Sequence, residues 1–358
     1  MHEASAFIRA GWDNLNGGDA EAAADAFRRA AQLSPQNAEA PFGLGLSLVR
    51  LHAYRDAVDS FKRSLVLRPG VAGAQMNLGL AYVQLGDRQG ALEAFLEAVR
   101  ISPGDPRTHV QAGFALERLG RHDEAIASCG RALAIKADDP DANYCLGWAA
   151  SGAGRWTAAI DAFERVLEKR PADAATYLGM GIANSNLGRY AAAVDALNAA
   201  LERQPENGEA HLALGSTYGN LDRWPEALRE LDRAAALAPE SAAAHYQLGQ
   251  ALARAGRSAE ALEHYRLAVH VDPQSAEAQF RLGLTLVDLQ QTRNAVDAFS
   301  AAVRLRPDYA AALFNLALAL NALGRTGDAR DVQQRLTAVE PNLARQLDRL
   351  LAKTGGSP

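Results

Sequence analysis

The sequence predicts an all-α protein, because its helix-ending residues recur at a fixed period and β-strand patterns are almost absent. Alanine and leucine dominate, and valine and isoleucine never form the alternating runs of half-buried strands. Nine prolines follow each other at intervals of 34 residues, with one interval of 68 where Ala137 takes the missing place. They are Pro35, Pro69, Pro103, Pro171, Pro205, Pro239, Pro273, Pro307 and Pro341. Such a period is typical of repeat proteins and not of separate globular domains.

Counting back from the prolines divides residues 4–343 into ten units of 34 residues without insertion or deletion. Position 8 is glycine in nine units and Ala317 in the tenth, position 20 is always alanine, and position 24 is usually aromatic or leucine. A glycine inside a helix costs about 1 kcal/mol relative to alanine. We therefore predict that small residues at positions 8 and 20 let two helices approach closely, while position 24 fills the space beside them. The units begin at Ala4, Ala38, Ala72, Pro106, Pro140, Ala174, Gly208, Ala242, Ala276 and Ala310.

Helix boundaries are marked in most units. In seven cases the residue before the unit is a good N-cap for a first helix, and position 15 is glycine in seven units, which favours a left-handed turn at the end of that helix. The second helix is then predicted to run about 13 residues until the proline. The N-caps are Asn37, Asp105, Asp139, Asp173, Asn207, Ser241 and Ser275.

The pattern of Leu at position 7, Gly at 8, Ala at 20, an aromatic residue at 24, Ala at 27 and Pro at 32 resembles the tetratricopeptide repeat (TPR). Residues 75–82 and 245–249 match the first helix of that repeat closely. One departure is position 4, often tryptophan in the family and here mainly polar, as in Gln75 and His211. The resemblance implies an α-solenoid, a right-handed superhelix of ten two-helix hairpins. First helices would line a concave groove, and second helices would form the convex surface.

The open end of a helical stack requires a polar cover. Leucines at helical spacing, from Leu343 to Leu351, alternate with charged residues. We predict a capping helix over residues 344–353 and prefer it to a membrane-surface helix, because the segment is short and has few basic residues. Residues 354–358 are predicted to form a disordered tail.

Composition argues against several classes of protein. The net charge of −5 disfavours a nucleic-acid partner, and no segment reaches the apolar length of a membrane span. The N-terminal residues do not resemble a secretory signal. The two cysteines, Cys129 and Cys145, suggest no disulfide framework and fit a reducing compartment. These features predict a cytoplasmic protein, and the polar residue at position 4, a variant common among bacterial-looking members of the tetratricopeptide family, implies a bacterial one.

A search for catalytic motifs finds no phosphate-binding loop, no nucleophile elbow and no HExxH helix. Cys129 and Cys145 lack metal-site spacing, and Cys129 occupies position 24 as a small core residue. His211 and His245 share position 4 in adjacent repeats and could stack, but we interpret them as partly buried polar residues. The sequence thus predicts no catalytic residue, no metal and no cofactor, so the chain is not expected to be an enzyme.

In the tetratricopeptide family the groove is built from positions 2, 5, 6, 9, 12 and 13 of the first helices, here called the first-helix face. Its apolar residues exceed what a solvated surface requires, although most of them should pack against neighbouring helices. The remainder would leave an exposed strip suited to interface anchors. We favour repeats four and five, where aromatic anchors lie beside polar residues. The candidate binding residues are Phe42, Met76, Arg107, Gln111, Phe114, Arg118, Tyr144, Trp148, Tyr246 and Phe280.

These features predict a non-catalytic scaffold or adaptor that binds a protein, as a peptide or helix, in the groove. No repeat triplet reproduces the family's clamp for a C-terminal carboxylate, so that specificity is not expected. Two alternatives stay open: a substrate-recruiting or regulatory subunit of a separately encoded enzyme such as a transferase, and a structural scaffold that self-assembles into homo-oligomers through its repeat ends.

Overall fold

The computed structural model describes residues 2–354, and every regular element in that range is an α-helix. The all-α prediction is confirmed. The helices are α1 (His2–Asn16), α2 (Ala20–Leu33), α3 (Glu39–Arg50), α4 (Tyr54–Leu67), α5 (Ala72–Leu85), α6 (Arg88–Ile101), α7 (Pro106–Arg118), α8 (His122–Ile135), α9 (Pro140–Gly152), α10 (Trp156–Lys169), α11 (Ala174–Asn186), α12 (Tyr190–Arg203), α13 (Gly208–Asn220), α14 (Trp224–Leu237), α15 (Ala242–Arg254), α16 (Ser258–Val271), α17 (Ala276–Asp288), α18 (Thr292–Leu305), α19 (Ala310–Ala322), α20 (Thr326–Val339) and α21 (Pro341–Thr354).

The chain divides into two compact units, of which the first ends at Leu187 and the second begins at Gly188. In the first unit, helices α1 to α11 pack in chain order, each against the next, and first helices of neighbouring repeats such as α7 and α9 also touch. In the second unit, helices α12 to α21 pack in the same way, with contacts between α13 and α15 and between α15 and α17. Each unit is therefore a stack of helical hairpins.

The predicted caps and turns are present. All seven proposed N-cap side chains accept hydrogen bonds from backbone N–H groups at the start of a first helix. The seven glycines at position 15 have φ between +71° and +90°. The three repeats without that glycine keep the same left-handed turn, with φ of 55–58° at His52, Asp222 and Gln290. The turn is therefore imposed by the hairpin even where the residue type disfavours it.

The glycine at position 8 faces the large residue at position 24 of the same repeat. A Cβ atom on Gly79 would lie 2.5 Å from the ring of Phe95, which is 1% exposed. Repeat ten is informative because its position 24 is Gln333, whose side chain donates to Asp348 of α21. In that repeat position 8 is Ala317. Glycine is kept where position 24 is Cys129 or Leu231, because a Cβ atom on Gly113 or Gly215 would lie 2.7 or 2.6 Å from that side chain.

Position 24 also touches the following repeat. The ring of Phe27 lies against Gly11 of its own repeat and against Gly43, position 6 of the next, where a Cβ atom would be 2.4 Å away. Phe163 makes the same pair of contacts with Gly147 and Gly179. Positions 24 and 6 thus form the junction between consecutive repeats.

The C-terminal helix α21 covers the end of the second unit. It packs on α19 and α20 and buries Ala344 and Leu347 completely, with Leu343 and Leu351 partly buried. The helix begins at Pro341, three residues before the predicted start, and includes Thr354, the first residue of the predicted tail. Residues 355–358 lie outside the described part of the chain.

Candidate functional site

A cavity of about 210 Å³ lies on the first-helix face of repeats four and five, within the first unit. Three of the predicted binding residues line it, namely Arg107, Gln111 and Phe114. The other lining residues are Val110, Asp139 and Asp141. Because repeat positions 2, 5, 6 and 9 of α7 all contribute, the cavity follows the face that the family resemblance predicted.

Two capping aspartates fix the polar rim of this cavity. Asp105 accepts a hydrogen bond from the Arg107 backbone and pairs with its guanidinium at 2.7 Å, which lowers the pKa of Asp105. Burial opposes ionisation of Asp139, but hydrogen bonds from Lys136 and from two backbone N–H groups of α9 leave its pKa below the usual value. Both carboxylates therefore stay charged at neutral pH.

Arg107 itself projects into solvent. Its side chain is 82% exposed despite the pairing with Asp105. Asp141, on the opposite rim, pairs with Arg170 at 2.8 Å, and both of these side chains are also exposed. The rim therefore presents one cation, Arg107, and one anion, Asp141. Their ion pairs lie close to solvent, where such pairs are weak and easily exchanged.

The three predicted aromatic anchors form one continuous series. The ring of Phe114 lies 6.1 Å from that of Tyr144, which lies 6.2 Å from Trp148. Tyr144 and Trp148 also pack edge-to-face on Phe163, which is fully buried. The structure therefore brings the anchors together, but the two from repeat five also help to form the core.

The indole N–H of Trp148 is buried and has no hydrogen-bond acceptor among the residues that the structure describes. Trp12 occupies the same repeat position, and its Nε1 donates to Glu39 at 2.8 Å. Glu39 stands at position 2 of the following repeat, where the partner of Trp148 would be Ala175. The hydrogen bond that links position 9 of repeat one to position 2 of repeat two therefore has no counterpart between repeats five and six.

The remaining predicted residues of the first unit lie apart from this cavity. Phe42 packs between Trp12 and Phe61, at ring distances of 6.4 and 5.9 Å. Met76 is partly buried beside the core of repeats three and four. Arg118 is exposed at the last residue of α7 and does not line the cavity.

The two predicted residues of the second unit belong to a different environment. Phe280 is only 7% exposed and packs on Phe299 and Tyr309, so the structure places it in the core and not on a surface. Tyr246 lines a cavity of about 240 Å³ and is hydrogen-bonded to Arg281. Phe280, at position 5 of repeat nine, is buried because α17 and α19 enclose it between them.

Around Tyr246 the charged and hydroxyl groups of the second unit lie against each other, although the buried Arg281 Nε–H makes no hydrogen bond within the described residues. Glu277 accepts a hydrogen bond from the Tyr309 hydroxyl and pairs with Arg281 at 3.2 Å. Burial raises the pKa of Tyr309, and the neighbouring Glu277 carboxylate raises it further. The Arg306 guanidinium lies over the Tyr309 ring, 4.2 Å from its centre.

The prediction for the cysteines was wrong. Cys129 and Cys145 form a disulfide, with Cα atoms 5.9 Å apart and both residues buried. They occupy positions 24 and 6 of consecutive repeats, the junction that holds Phe27 with Gly43 and Phe163 with Gly179 elsewhere. Aligning position 24 with position 6 of the next repeat would have revealed the pair. The argument for a reducing compartment loses its basis.

The histidines at position 4 do not stack on each other. In three repeats the Nε2 atom contacts the carbonyl of the preceding repeat's proline, as His211 does with Pro205. The Nδ1 partner differs: His211 meets Glu230 at 2.7 Å, whereas His245 meets Nδ1 of His264 at 3.2 Å. Within residues 2–354 no group of three histidine, cysteine or acidic side chains is arranged to hold a metal ion.

Across the described helices, none combines the length and the apolar character needed to cross a bilayer.

Comparison with known proteins identifies the repeat. Tetratricopeptide repeat models match residues 8–72, 42–106, 82–149, 144–208, 178–218, 212–277 and 280–342. No curated protein matches the sequence significantly.

Among solved structures, the chain is similar to MamA, with 26% identity, a TM-score of 0.45, and coverage of 48% of this chain and 94% of MamA. It is also similar to YrrB, described as a TPR protein with an unusual peptide-binding site, with 22% identity, a TM-score of 0.48, and coverage of 53% and 99%. A tetratricopeptide repeat protein from Parabacteroides merdae shares the fold, with 15% identity, a TM-score of 0.58, and coverage of 70% and 100%. The chain belongs to the tetratricopeptide repeat family, whose members are modules for protein–protein interaction.

Proposed function

We propose that this chain is a non-catalytic adaptor whose first-helix face in repeats four and five binds a segment of a partner protein. The observation that carries the proposal is the cavity of about 210 Å³, in which Arg107, Gln111 and Phe114 converge. Partly apolar cavities with a few convergent polar groups are the usual form of binding sites. The net charge of −5 further favours a protein over a nucleic acid as the partner.

The arrangement supports recognition of a short segment by a combination of contacts. Phe114 offers an apolar floor that an aliphatic or aromatic anchor could cover. Gln111 presents an amide that can both donate and accept hydrogen bonds with a peptide backbone. The exposed rim charges of Arg107 and Asp141 would orient the segment more than they would strengthen its binding.

The test uses a matched pair of variants. Gln111→Arg fills the cavity with a longer cation beside Arg107, while Gln247→Arg makes the same change at the same repeat position in repeat eight. Both side chains are partly exposed, so neither change places a charge in the core. Substitutions at Tyr144 or Trp148 are less suitable, because both rings pack on buried Phe163.

Peptides are first selected from a random library against the full chain, and their affinities are then measured for the three proteins. We expect Gln111→Arg to weaken the selected peptides by at least about tenfold, equivalent to about 1.4 kcal/mol. Gln247→Arg should leave them unchanged. If Gln247→Arg abolished binding and Gln111→Arg did not, the site would be elsewhere. Failure to select any peptide would count against the proposed function itself.

A further inference from the structure

We infer that Cys129 and Cys145 form a reversible disulfide that regulates the first-helix face of repeats four and five. The inference rests on the proposed function for its effect on binding. Its structural part, a redox-dependent change in packing, stands independently. The two residues are the only cysteines of the chain, and they occupy positions 24 and 6, which meet across the junction between consecutive repeats.

Residue usage at the junction supports a role specific to cysteine. Elsewhere in the first unit position 24 is always phenylalanine. Position 6 of the next repeat is a glycine in contact with that ring at two junctions, Phe27 with Gly43 and Phe163 with Gly179, and is Asn77 or Gln111 at the other two. Those pairs fill the junction without any covalent bond. The separation of 5.9 Å between the Cα atoms of Cys129 and Cys145 falls within the range that disulfides span.

The sulfur atoms lie directly beneath the candidate site. Cys129 and Cys145 share a hydrophobic cluster with Val110, and Phe114 packs against that cluster. The Cys145 sulfur lies 3.7 Å from the carbonyl oxygen of Val110. Val110 and Phe114 are the apolar residues of the cavity lining, so a change at the sulfurs is transmitted to the cavity in one step.

Reduction must change this packing. Bonded sulfurs are about 2.05 Å apart, whereas atoms without a bond between them need about 3.5–4.0 Å. The backbone of Gly113 closes one side, because a Cβ atom there would lie 2.5 Å from one sulfur and 2.7 Å from the other. Protein interiors are closely packed and contain few voids that could take up such a movement. The added separation must therefore displace neighbouring side chains, of which Val110 and Phe114 border the cavity.

The chemistry is thiol–disulfide exchange with a low-molecular-weight disulfide. One cysteine thiolate attacks that disulfide, forms a mixed disulfide and releases one small thiol. The second cysteine then attacks the mixed disulfide, closes the Cys129–Cys145 bond and releases the second small thiol. Two electrons and two protons pass from the protein to the small molecule, and a small dithiol reverses the reaction. Both sulfurs are buried, so each direction requires local opening of the junction.

The test compares the full chain after treatment with oxidised glutathione and after treatment with dithiothreitol. Thiols are counted in the unfolded protein, and amide hydrogen exchange is followed over α7 and α9. We expect no free thiols in the first state and both in the second, with reversal on re-oxidation. Exchange in α7 and α9 should be faster after reduction, while α13 and α15 of the second unit should be unaffected.

The control variant combines Cys129→Phe with Cys145→Gly, which reproduces the Phe163–Gly179 junction without sulfur. It should show identical hydrogen exchange in both conditions. Peptides selected against the oxidised chain should bind the reduced chain at least about fivefold more weakly, the lower end of typical coupling between sites. Their affinity for the control variant should not depend on dithiothreitol.

The outcomes separate the two proposals. If the thiols interconvert but hydrogen exchange in α7 and α9 is the same in both states, the inference fails whatever the peptides do. It also fails if the cysteines cannot be reduced and re-oxidised in the folded chain, or if peptide affinity is the same in both states. If no peptide binds either state, the proposed function fails, and hydrogen exchange still decides whether the disulfide controls the packing.

Discussion

The first-helix face of repeats four and five differs from that of repeats eight and nine in how its polar groups are paired. In the first region, Arg107 and Asp141 make only exposed ion pairs and border an open cavity. In the second, Glu277 accepts a hydrogen bond from Tyr309 and pairs with Arg281, and these groups are partly withdrawn from solvent. The same repeat positions thus border an open cavity in one place and contribute to internal contacts in the other.

The difference follows from a few residues on a shared backbone. Position 2 is Asp141 in repeat five, where it pairs with Arg170, and Glu277 in repeat nine, where it accepts a hydrogen bond from the Tyr309 hydroxyl. The junction beneath the first region is a disulfide, whereas beneath the second Tyr265 packs beside Tyr246. Specialisation of this kind is what a repeat scaffold permits, because each copy contacts mainly its neighbours.

The largest difference is expected at position 8. In Gly113→Ala the new Cβ would lie 2.5 Å from a sulfur of a covalently fixed pair, whereas in Gly249→Ala it would meet the Tyr265 ring at 3.0 Å. Overpacking costs about 1–3 kcal/mol, and alanine returns about 1 kcal/mol of helix propensity. Gly113→Ala should lower the free energy of unfolding of the oxidised chain by about 2 kcal/mol, and Gly249→Ala by less than about 1 kcal/mol. Denaturant titration measures both losses of unfolding free energy. Equal losses would contradict the expected difference between the two regions.

The next comparison removes the acid at position 2. Glu277→Ala leaves a half-buried guanidinium and a tyrosine hydroxyl without their acceptor, which should cost about 1–2 kcal/mol. Asp141→Ala removes only an exposed pair and should change stability by less than about 0.5 kcal/mol. Both variants are compared by thermal and denaturant unfolding. A loss for Asp141→Ala as large as that for Glu277→Ala would show that the first region is not open as described.

A smaller effect is expected at the turns that end the first helices. Repeats four and five use Gly120 and Gly154, whereas repeat nine places Gln290 in the left-handed region. Gln290→Gly should therefore stabilise the chain by about 1 kcal/mol, the cost of that conformation for a residue with a Cβ atom. Gly256→Gln, the reverse change in repeat eight, should destabilise by a similar amount. Unchanged unfolding midpoints for both would contradict this account of the turn.

The smallest expected effect is a pH dependence confined to the second region. Burial lowers the pKa of His264, the neighbouring His245 lowers it further, and Asp232, Glu260 and Glu263 oppose the shift. The folded state thus binds this proton less readily than the unfolded state. The contribution of His264 is fully present above the unfolded pKa of about 6.5 and is lost as pH falls through the folded pKa.

His264→Glu provides the matched test, because it reproduces the contact between His211 and Glu230 one repeat earlier. A carboxylate at this position accepts a hydrogen bond from the imidazole of His245, whereas the imidazole of His264 repels it when both rings are protonated. The variant should lose less stability than the parent chain between pH 8 and pH 5, measured by denaturant unfolding. An identical pH profile for the two proteins would exclude His264 as the source.

The sequence was sufficient to predict the features that ten copies share. The period, the caps such as Asp139, the turns at position 15 and the pairing of positions 8 and 24 all follow from local propensity and packing averaged over the repeats. Three of the predicted binding residues line the cavity, because the repeat pattern places them on the first-helix face. The cavity lies on the face of the first helices that the resemblance implies for the groove.

What escaped prediction depends on contacts between repeats and on side chains that differ. The disulfide joins positions 24 and 6, which are 16 residues apart and belong to different copies. The burial of Phe280 depends on Tyr309 at the end of its repeat, and the unpaired indole of Trp148 depends on Ala175 in the next. Each outcome depends on one particular neighbouring residue. A pattern averaged over the ten copies does not retain that information.

The junction between positions 24 and 6 also limits how such an array can change in length. Loss of residues 140–173 would preserve the period but remove Cys145 and place Gly179 opposite Cys129, so that neither a disulfide nor a large ring would fill the junction. Loss of residues 38–173 would instead join Phe27 to Gly179, a match already present with Phe163. Unequal recombination among the copies should therefore be tolerated more readily at some borders than at others.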